Sequence, residues 1–235
     1  MRDDDTRVVF YTVAVGEDVD VLAPAFRDPS ARYVAITDGR ADVGPGWEHQ
    51  ELPPVPRGKE RVASREPKMR PHAFLGQEWD VAVYLDASVA PTLPGACYAG
   101  LLAGNRHVAT YRHANARCVY AHAAMLIQCG KAHPREMAAA IAWLKDECWP
   151  AGLGCMECCL VVWANHPTAD RCGRYWERYY LDCPGERDQL TFPMAVARSG
   201  ARWRWIPGGY GHDGFTHLVA SKGPAVAGKH GKVAA

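Results

Sequence analysis

The sequence predicts an α/β protein with a mostly parallel central sheet. Short runs of β-branched and aromatic residues recur along the first half of the chain, and each run ends at a turn-forming acid or glycine. Segments of helical length separate these runs, which is the pattern of a sheet covered by helices. The chain has 235 residues, of which 48% are hydrophobic and 23% charged, so it can bury a sizeable core.

Three segments of the first half predict buried strands because β-branched and aromatic residues fill them: 7–15 (RVVFYTVAV), 33–37 (YVAIT) and 80–85 (DVAVYL). Prolines make 53–58 an extended loop that cannot be helical. The charged segment 61–75 predicts an exposed helix, which Pro67 and Pro71 limit or kink.

The second half of the chain is more helical. Proline and glycine positions and the spacing of apolar residues predict helices over 116–129, 135–148, 167–181 and 188–197. Residues 157–164 (ECCLVVWA) predict one more buried strand. We expect residues 1–218 to form a single domain and residues 219–235, rich in glycine, alanine and lysine, to be a disordered tail.

Composition argues against some classes of protein. Lys and Arg number 27 against 26 Asp and Glu, whereas a protein that coats nucleic acid through bulk charge usually has a larger positive excess. No secretory signal precedes the first strand, and no apolar run approaches the roughly 18 residues that span a membrane. We therefore expect a cytoplasmic protein with reduced cysteines and no membrane partner.

Three of the nine cysteines, Cys155, Cys158 and Cys159, form a CxxCC motif. A four-ligand zinc site usually pairs two such motifs, and this sequence has one. Cys158 and Cys159 also begin an apolar strand, where adjacent side chains point to opposite faces. Buried free thiols are the favoured interpretation, and a structural zinc is the alternative.

Aspartates follow two of the predicted strands. Asp86 comes directly after 80–85, at the carboxyl edge of the sheet, where open α/β folds place their ligands. A carboxylate there can hold Mg²⁺ or Mn²⁺, which prefer oxygen ligands. Asp38 follows 33–37 in the same way and could bind a ribose hydroxyl or a base N–H. For both residues the alternative is a turn-forming aspartate.

Other charged residues also have two interpretations. Lys68, Arg70 and His72 form a basic segment that could meet phosphates, or a solvated helix face. Asp188 stands at a predicted helix start, where it could be a cap. His212 lies in a glycine-rich loop that either binds metal or phosphate or is a linker. No Walker loop is present and no GxGxxG motif follows the first strand, which argues against ATPases and Rossmann dehydrogenases.

Seven segments occur in the order that a known family has: VVFYTVAVGEDVD, YVAITD, PKMRPHAFL, VAVYLDAS, HANARCVYAHA, ECCLVVWANHP and ERDQLTFPMAVARSG. On these segments the chain resembles the glycosyltransferase-like family typified by plant proteins of mucilage and pectin synthesis, with short bacterial and phage-borne relatives. The resemblance runs from about residue 8 to residue 215. RDQLTF and YLDAS are its most specific parts.

The resemblance implies a GT-A fold, a three-layer α/β sandwich in which a Rossmann-like nucleotide-binding half is fused to an acceptor-binding half. Members of GT-A families transfer a sugar from a nucleoside diphosphate, usually with Mn²⁺ or Mg²⁺ at an Asp-x-Asp motif. Asp86 matches the first position of that motif and Ser88 the third, so one expected carboxylate is absent. His212 resembles the distal histidine ligand of glycogenin-like enzymes and would complete the metal ligands.

The resemblance also implies roles for other residues. The implied donor-binding residues are Thr12 and Asp38 in the nucleotide pocket, Lys68 at the diphosphate, His113 and Arg117 by the donor phosphates or sugar, and Gln189. The metal, Lys68 and Arg117 would neutralise the charge of the leaving group. Glu157 and Asp188 would lie near the transferred sugar, where a carboxylate accepts the acceptor's proton or faces an oxocarbenium-like centre. The alternatives are a buried salt bridge for Glu157 and a helix cap for Asp188.

We therefore expect a glycosyltransferase that uses a nucleotide-sugar donor, with a UDP-sugar favoured, and a glycan or small-molecule acceptor. The basic run between Arg57 and Arg70 keeps a modified base of phage DNA as a less favoured acceptor. Two other classes stay open. One is a catalytically inactive glycosyltransferase-like binding module, which Ser88 favours, and the other is a zinc-bound scaffold built around the CxxCC motif.

Overall fold

The computed structural model describes residues 6–16, 20–21, 23–208 and 215–218. Two of the predictions above lie outside these residues: the disordered tail over 219–235 and the metal ligand His212.

The described residues form nine β-strands: β1 Val8–Ala14, β2 Arg32–Thr37, β3 Glu48–Glu51, β4 Val81–Leu85, β5 Val89–Pro91, β6 Val108–Arg112, β7 Met156–Ala164, β8 Trp203–Trp205 and β9 Thr216–Leu218. Seven of them join in one sheet in the order β3-β2-β1-β4-β7-β6-β8, and β5 pairs with β9. Neighbours in the seven-stranded sheet are parallel except that β7 runs antiparallel to both β4 and β6, and β5 and β9 are antiparallel to each other. The predicted mostly parallel sheet is confirmed.

Seven helices lie in the described residues: α1 Glu60–Met69, α2 Pro71–Phe74, α3 Gly95–Gly100, α4 Val119–Gln128, α5 Pro134–Asp146, α6 Pro167–Asp182 and α7 Asp188–Ser199. The helix predicted over 61–75 is divided at Arg70, whose φ of −122° and ψ of 53° are not helical, because the residue before a proline avoids that region. His133 and His166 cap α5 and α6, since each ring accepts a backbone N–H two residues on. No helix in the described ranges is both long and apolar enough to span a bilayer.

Alternate residues of the strands pack on opposite faces of the sheet. Tyr11 of β1 packs under α1 and α4–α7, whereas Phe10 packs on the other face with α3. Cys158 and Cys159 divide in the same way, which confirms that these thiols are buried on opposite faces. The result is a three-layer arrangement in which the first face carries the larger helical layer.

A close contact between α6 and α1 fixes the position of α1 on the sheet. Gly173 of α6 lies so near the chain at Met69 that an added Cβ would overlap the Met69 carbonyl oxygen. Met69 is the last residue of α1 and directly follows Lys68. The glycine therefore allows the end of α1 to approach the core.

Candidate active site

A buried ion cluster lies at the carboxyl edge of the sheet. Lys68, near the end of α1, is 2% exposed, and its Nζ donates to Asp188 Oδ2 at 2.7 Å and to Asp86 Oδ1 at 3.3 Å. Asp86 directly follows β4, and its backbone N–H donates to the Cys159 carbonyl of β7. Asp188 is the first residue of α7. Residues from three parts of the chain thus meet at one point.

Three further groups complete this cluster. Tyr84, two residues before Asp86 on β4, donates its hydroxyl to Asp86 Oδ1 at 2.7 Å. The Lys68 ammonium lies 4.7 Å from the centre of the Tyr84 ring, a cation–π distance. Arg65 Nε lies 3.5 Å from Asp188 Oδ2, and the Gln189 backbone N–H donates to Asp188 Oδ1 at 3.1 Å.

The cluster keeps Lys68 and Asp188 charged at neutral pH. Burial acts to lower the pKa of the Lys68 ammonium, but the carboxylates of Asp188 and Asp86 outweigh it and raise the pKa well above the ordinary value. Burial likewise acts to raise the pKa of Asp188, but Lys68 and Arg65 outweigh it and hold that pKa well below the usual range. Each charge is therefore stabilised by its opposite.

Glu157, at the start of β7, belongs to a second group beside the first. Gln189 Nε2 donates to Glu157 Oε1 at 3.1 Å, and His113 Nε2 lies 3.4 Å from Glu157 Oε2. His122 Nε2 lies 3.3 Å from Gln189 Oε1. Because this amide oxygen can only accept, His122 carries its hydrogen on Nε2.

Burial shifts the pKa values of the titratable side chains in this second group. Burial raises the pKa of Glu157, and the negative charges of Asp86 and Asp188 add to the rise. Burial lowers the pKa of His113, and burial together with His113 lowers the pKa of His122 to about 4. The lowered pKa of His113 disfavours the imidazolium that a salt bridge with Glu157 would need.

The structure brings together five of the predicted residues with Asp86: Lys68, His113, Glu157, Asp188 and Gln189. Asp188 is not the N-cap of α7, since that position is Arg187.

Four other predicted residues lie apart from this group. Asp38 accepts hydrogen bonds from the Gly16 and Arg40 backbone and from Arg40 Nε, so it orders two loops. Thr12 is buried in the middle of β1, and its hydroxyl has no hydrogen-bond partner among the described residues. Arg117 and Ser88 are both exposed. The donor role of Asp38, Thr12 and Arg117 stays a prediction.

The basic segment is not a solvated helix face, as one interpretation supposed. Lys68 is buried in the ion cluster. Arg70 pairs with Glu177 at 2.7 Å, and His72 lies against Trp79 and the Ala164 carbonyl, away from the cluster. The interpretation is wrong because Pro67 and the α6 contact turn the end of α1 into the core.

Sequence reasoning assigned no role at this site to Arg65, Tyr84, His122 and Arg187. Arg65 is three residues before Lys68 on a helix and Tyr84 two residues before Asp86 on a strand, so both lie on the same side as a predicted residue. That spacing could have identified them. His122 and Arg187 gave no comparable signal.

A divalent cation fits this edge of the sheet if Asp86 supplies one ligand and a bound substrate supplies others. Asp86 Oδ1 accepts from Lys68 and Tyr84, whereas Oδ2 accepts no hydrogen bond from the described residues, and the side chain is 40% exposed. Within the described ranges no group of three or more His, Cys, Asp or Glu is arranged to hold a metal. Mg²⁺ is commonly held by one or two carboxylates with water and substrate phosphates, a set that Asp86 can begin.

The cysteines do not form a zinc site in the described part of the chain. Cys155, Cys158 and Cys159 are buried as free thiols. Burial raises the pKa of the Cys155 thiol to about 12, so the thiolate that a metal needs is disfavoured.

No protein-family profile matches the sequence, and no curated protein matches it. Among solved structures, the bifunctional glycosyltransferase WbbM is similar, with a TM-score of 0.52 at 9% identity over 86% of this chain and 39% of WbbM. Mouse xyloside xylosyltransferase 1 is similar at a TM-score of 0.47 and 9% identity, over 86% of this chain and 84% of that enzyme. The likeness to WbbM shows the fold, which is an α/β sandwich of the GT-A type.

Proposed function

We propose that this chain is a glycosyltransferase that transfers a sugar from a nucleoside-diphosphate sugar, with a UDP-sugar favoured, to a hydroxyl-bearing acceptor. The observation that carries the proposal is Arg187 Nε, a buried guanidinium N–H group without a hydrogen-bond acceptor in the described residues. Arg187 directly precedes Asp188, the first residue of α7, so this donor lies at the carboxyl edge of the sheet beside the acids. The oxygens of a diphosphate would satisfy it.

The charges at this edge favour an anionic donor. Four cationic side chains surround three carboxylates, namely Arg61, Arg65, Lys68 and Arg187 around Asp86, Glu157 and Asp188. Burial and the neighbouring charges of Arg61 and Arg65 lower the pKa of Arg187, which shows that like charges are crowded there. Lys68 is already occupied by two carboxylates, so Arg61 and Arg187 are better placed than Lys68 to meet phosphate oxygens.

A divalent cation, Mn²⁺ or Mg²⁺, would be held by Asp86 Oδ2, with the hydroxyl of Ser88, His212 or water and the donor's phosphates as further ligands. When bound, the cation would supply positive charge beside the departing diphosphate. Lys68 and Tyr84 hold Asp86 in place from the buried side. Because the described ligands are few, we expect the cation to bind well only together with the donor.

Glu157 is the best candidate for the group that takes the acceptor's proton. Gln189 and His113 orient its two oxygens, and its raised pKa makes it a stronger base than an ordinary carboxylate. Asp188 is less suited to that role, because Lys68 and Arg65 hold its pKa low and occupy its oxygens. We therefore assign Asp188 to positioning Lys68 and Gln189.

The acceptor that we favour is a glycan or small molecule. The basic run between Arg57 and Arg70 supports DNA less than its composition indicated, because Lys68 is buried and Arg70 is paired with Glu177.

A donor screen tests the proposal. The protein is incubated with UDP- and GDP-sugars and Mn²⁺, and both slow donor hydrolysis and the thermal shift are measured. We expect one donor to raise the melting temperature and to be hydrolysed slowly. If no donor raised the melting temperature and none was hydrolysed, the proposal would be refuted. A thermal shift without hydrolysis would instead support an inactive binding module, the second candidate, which the exposed Ser88 in place of an acid favours.

Matched variants locate the donor on the structure. Asp86→Asn keeps an acceptor for Tyr84 but removes the charge, and Arg187→Gln removes a cation. Each should weaken Mn²⁺-dependent donor binding at least about tenfold, which equals roughly 1.4 kcal/mol. Asp80→Asn, at the other end of β4, is the control and should leave donor affinity unchanged.

A further inference from the structure

A large cavity lies at the edge of the sheet opposite the candidate active site. Its volume is about 770 Å³. It is bordered by the first residue of β4, Val81, by the last of antiparallel β7, Ala164, and by His107 and Arg202, which directly precede β6 and β8. The five residues of β4 separate this cavity from Asp86 by roughly 15 Å. Nothing in the proposed transfer reaction uses it.

Two stacked histidines stand in the wall of this cavity. The rings of His107 and His166 lie 4.5 Å apart at an angle of 22°. His107 Nδ1 accepts the backbone N–H of Arg202 at 3.0 Å, and His166 Nδ1 accepts that of Thr168 at 3.1 Å. A nitrogen that accepts carries no hydrogen, so both neutral rings carry it on Nε2. Each ring therefore presents an Nε2–H donor, and neither donor has a protein acceptor among the described residues.

The other charged groups around this pair make the cavity positive. Arg106 and Arg202 line it, and no carboxylate pairs with the Arg202 guanidinium in the described part of the chain. The one carboxylate of the wall, Asp80, is neutralised by Arg7, whose Nη2 lies 3.0 Å from Asp80 Oδ1. Asn165, beside His166, donates its Nδ2 to the Trp79 carbonyl at 2.7 Å, so its Oδ1 is the acceptor that it adds to the wall. The side chains of the wall thus supply more donors and cations than unpaired acceptors.

The geometry points to a binding site for a tetrahedral oxyanion, sulfate or phosphate, free or as an ester on a sugar, between the His107–His166 pair and the guanidinium groups of Arg202 and Arg106. Two imidazole N–H donors and two planar cations supply the several hydrogen bonds that the oxygens of such a group can accept. The site is separate from the active-site edge, so it binds its ligand whether or not the chain transfers sugars.

Sulfate is the probe, because its charge does not change between pH 5 and pH 8. Binding to the full chain is measured by calorimetry and by the histidine ring signals in NMR, at constant ionic strength with NaCl. His166→Asn keeps the α6 cap, since asparagine also accepts the Thr168 N–H, but removes the Nε2–H donor. His133→Asn is the matched control, because His133 caps α5 through the same contact far from the cavity.

We expect sulfate to shift the His107 and His166 signals, and Arg202→Gln and His166→Asn each to weaken binding at least about tenfold. His133→Asn should bind like the unaltered protein. No saturable binding of sulfate, or equal binding by all three variants, would overturn the proposal. A second arm compares free sulfate with a monosaccharide sulfate ester; tighter binding of the ester identifies the sugar-linked form, and equal binding the free ion.

The pH dependence gives an independent check. Burial, with the nearby charges of His166, Arg202 and Arg171, lowers the pKa of His107. Arg106 is a further cation in the wall of the cavity, and Asp80 is paired with Arg7. No free carboxylate of the wall therefore offsets these positive charges among the described residues. An anion binds the imidazolium more tightly than the imidazole, so sulfate affinity should increase as pH falls. Affinity that is independent of pH down to pH 5 would exclude His107 from the site.

Discussion

Lys68 and Asp188, separated by 120 positions in the chain, form a buried ion pair with 2.7 Å between Nζ and Oδ2. The pair joins the end of α1 to the start of α7, and Asp86 and Arg65 extend it to the sheet edge. A buried pair is worth little in net stability compared with apolar residues, but removal of one partner leaves the other charge unpaired. The pair therefore acts mainly to hold the end of α1 and the start of α7 in place at the carboxyl edge of the sheet.

Lys68→Ala should destabilise the protein by about 3–5 kcal/mol, because Asp188 would stay buried with only Arg65 as a distant partner. Urea unfolding measures the free energy of unfolding. Arg174→Ala is the control, since Arg174 pairs with Asp170 on the exposed surface of α6 and should cost less than about 0.5 kcal/mol. Equal losses in the two variants would contradict the buried pair.

Gly173→Ala should destabilise the fold by about 1–3 kcal/mol although alanine is the better helix former, because its Cβ would overlap the Met69 carbonyl. Gly100→Ala, at the end of α3, has no atom within 4 Å of the added Cβ and should stabilise by about 0.4–1 kcal/mol. Thermal unfolding of both variants measures the difference. If both substitutions changed the stability in the same direction, α6 would not approach α1 so closely.

The Glu157 carboxyl should titrate above its ordinary pKa, because burial and the charges of Asp86 and Asp188 oppose its ionisation. Gln189→Ala removes a hydrogen bond that favours the carboxylate and should raise this pKa further. Carbon-13 NMR of the side-chain carboxyls measures both values. A lower pKa of Glu157 in the Gln189→Ala variant would show that the Gln189 amide does not donate to Glu157.

His122 should make the protein less stable as pH falls. The folded pKa of about 4 lies below the unfolded value near 6.5, so the unfolded chain binds the proton more readily. The stabilisation by neutral His122 is fully present above pH 6.5 and decreases as pH falls to about 4, by about 3 kcal/mol at most. His122→Gln keeps a donor for Gln189 and should flatten the stability curve in this range. A curve parallel to that of the unaltered protein would contradict the lowered pKa.

The thiols should divide by exposure. Cys97, Cys129 and Cys148 are exposed and should react with Ellman's reagent in the native protein, whereas Cys155, Cys158, Cys159, Cys172 and Cys183 are buried and should react only after unfolding. Mass spectrometry of the labelled peptides identifies the sites. Rapid native labelling of Cys158 or Cys159 would show that β7 is not covered on both faces.

Most long elements could be predicted from the sequence, because an apolar run bounded by turn residues identifies a buried strand. β1, β2, β4 and β7 all lie within one residue of the predicted bounds. β3 (EHQE) could not be predicted, because its residues are polar and it pairs with β2 at the edge of the sheet. β6 has five residues, as β4 has, but it does not stand out because arginines and histidines flank and end it. The three-residue strands β5, β8 and β9 and the six-residue helix α3 are too short to stand out.

The site was less predictable than the fold. Asp86 could be identified from its place after a strand, but the contact of Lys68 with Asp188 depends on how α1 and α7 pack, which spacing along the chain does not encode. The family resemblance placed Lys68 on a diphosphate, whereas in the structure its charge is engaged by Asp86 and Asp188. The direction of β7 was equally hidden, since a strand buried on both faces has the same sequence pattern in either orientation.

The reversed direction of β7 has a consequence for how this chain tolerates change. Asp86 leaves the sheet at the end of β4 and Glu157 enters it at the start of β7, and the ladder that joins Leu85 to Leu160 sets their spacing. The loops before Glu157 and after Asp86 can therefore lengthen, shorten or be replaced without moving one acid relative to the other. New acceptor preferences could arise by exchange of those loops alone, while the two carboxylates keep their separation.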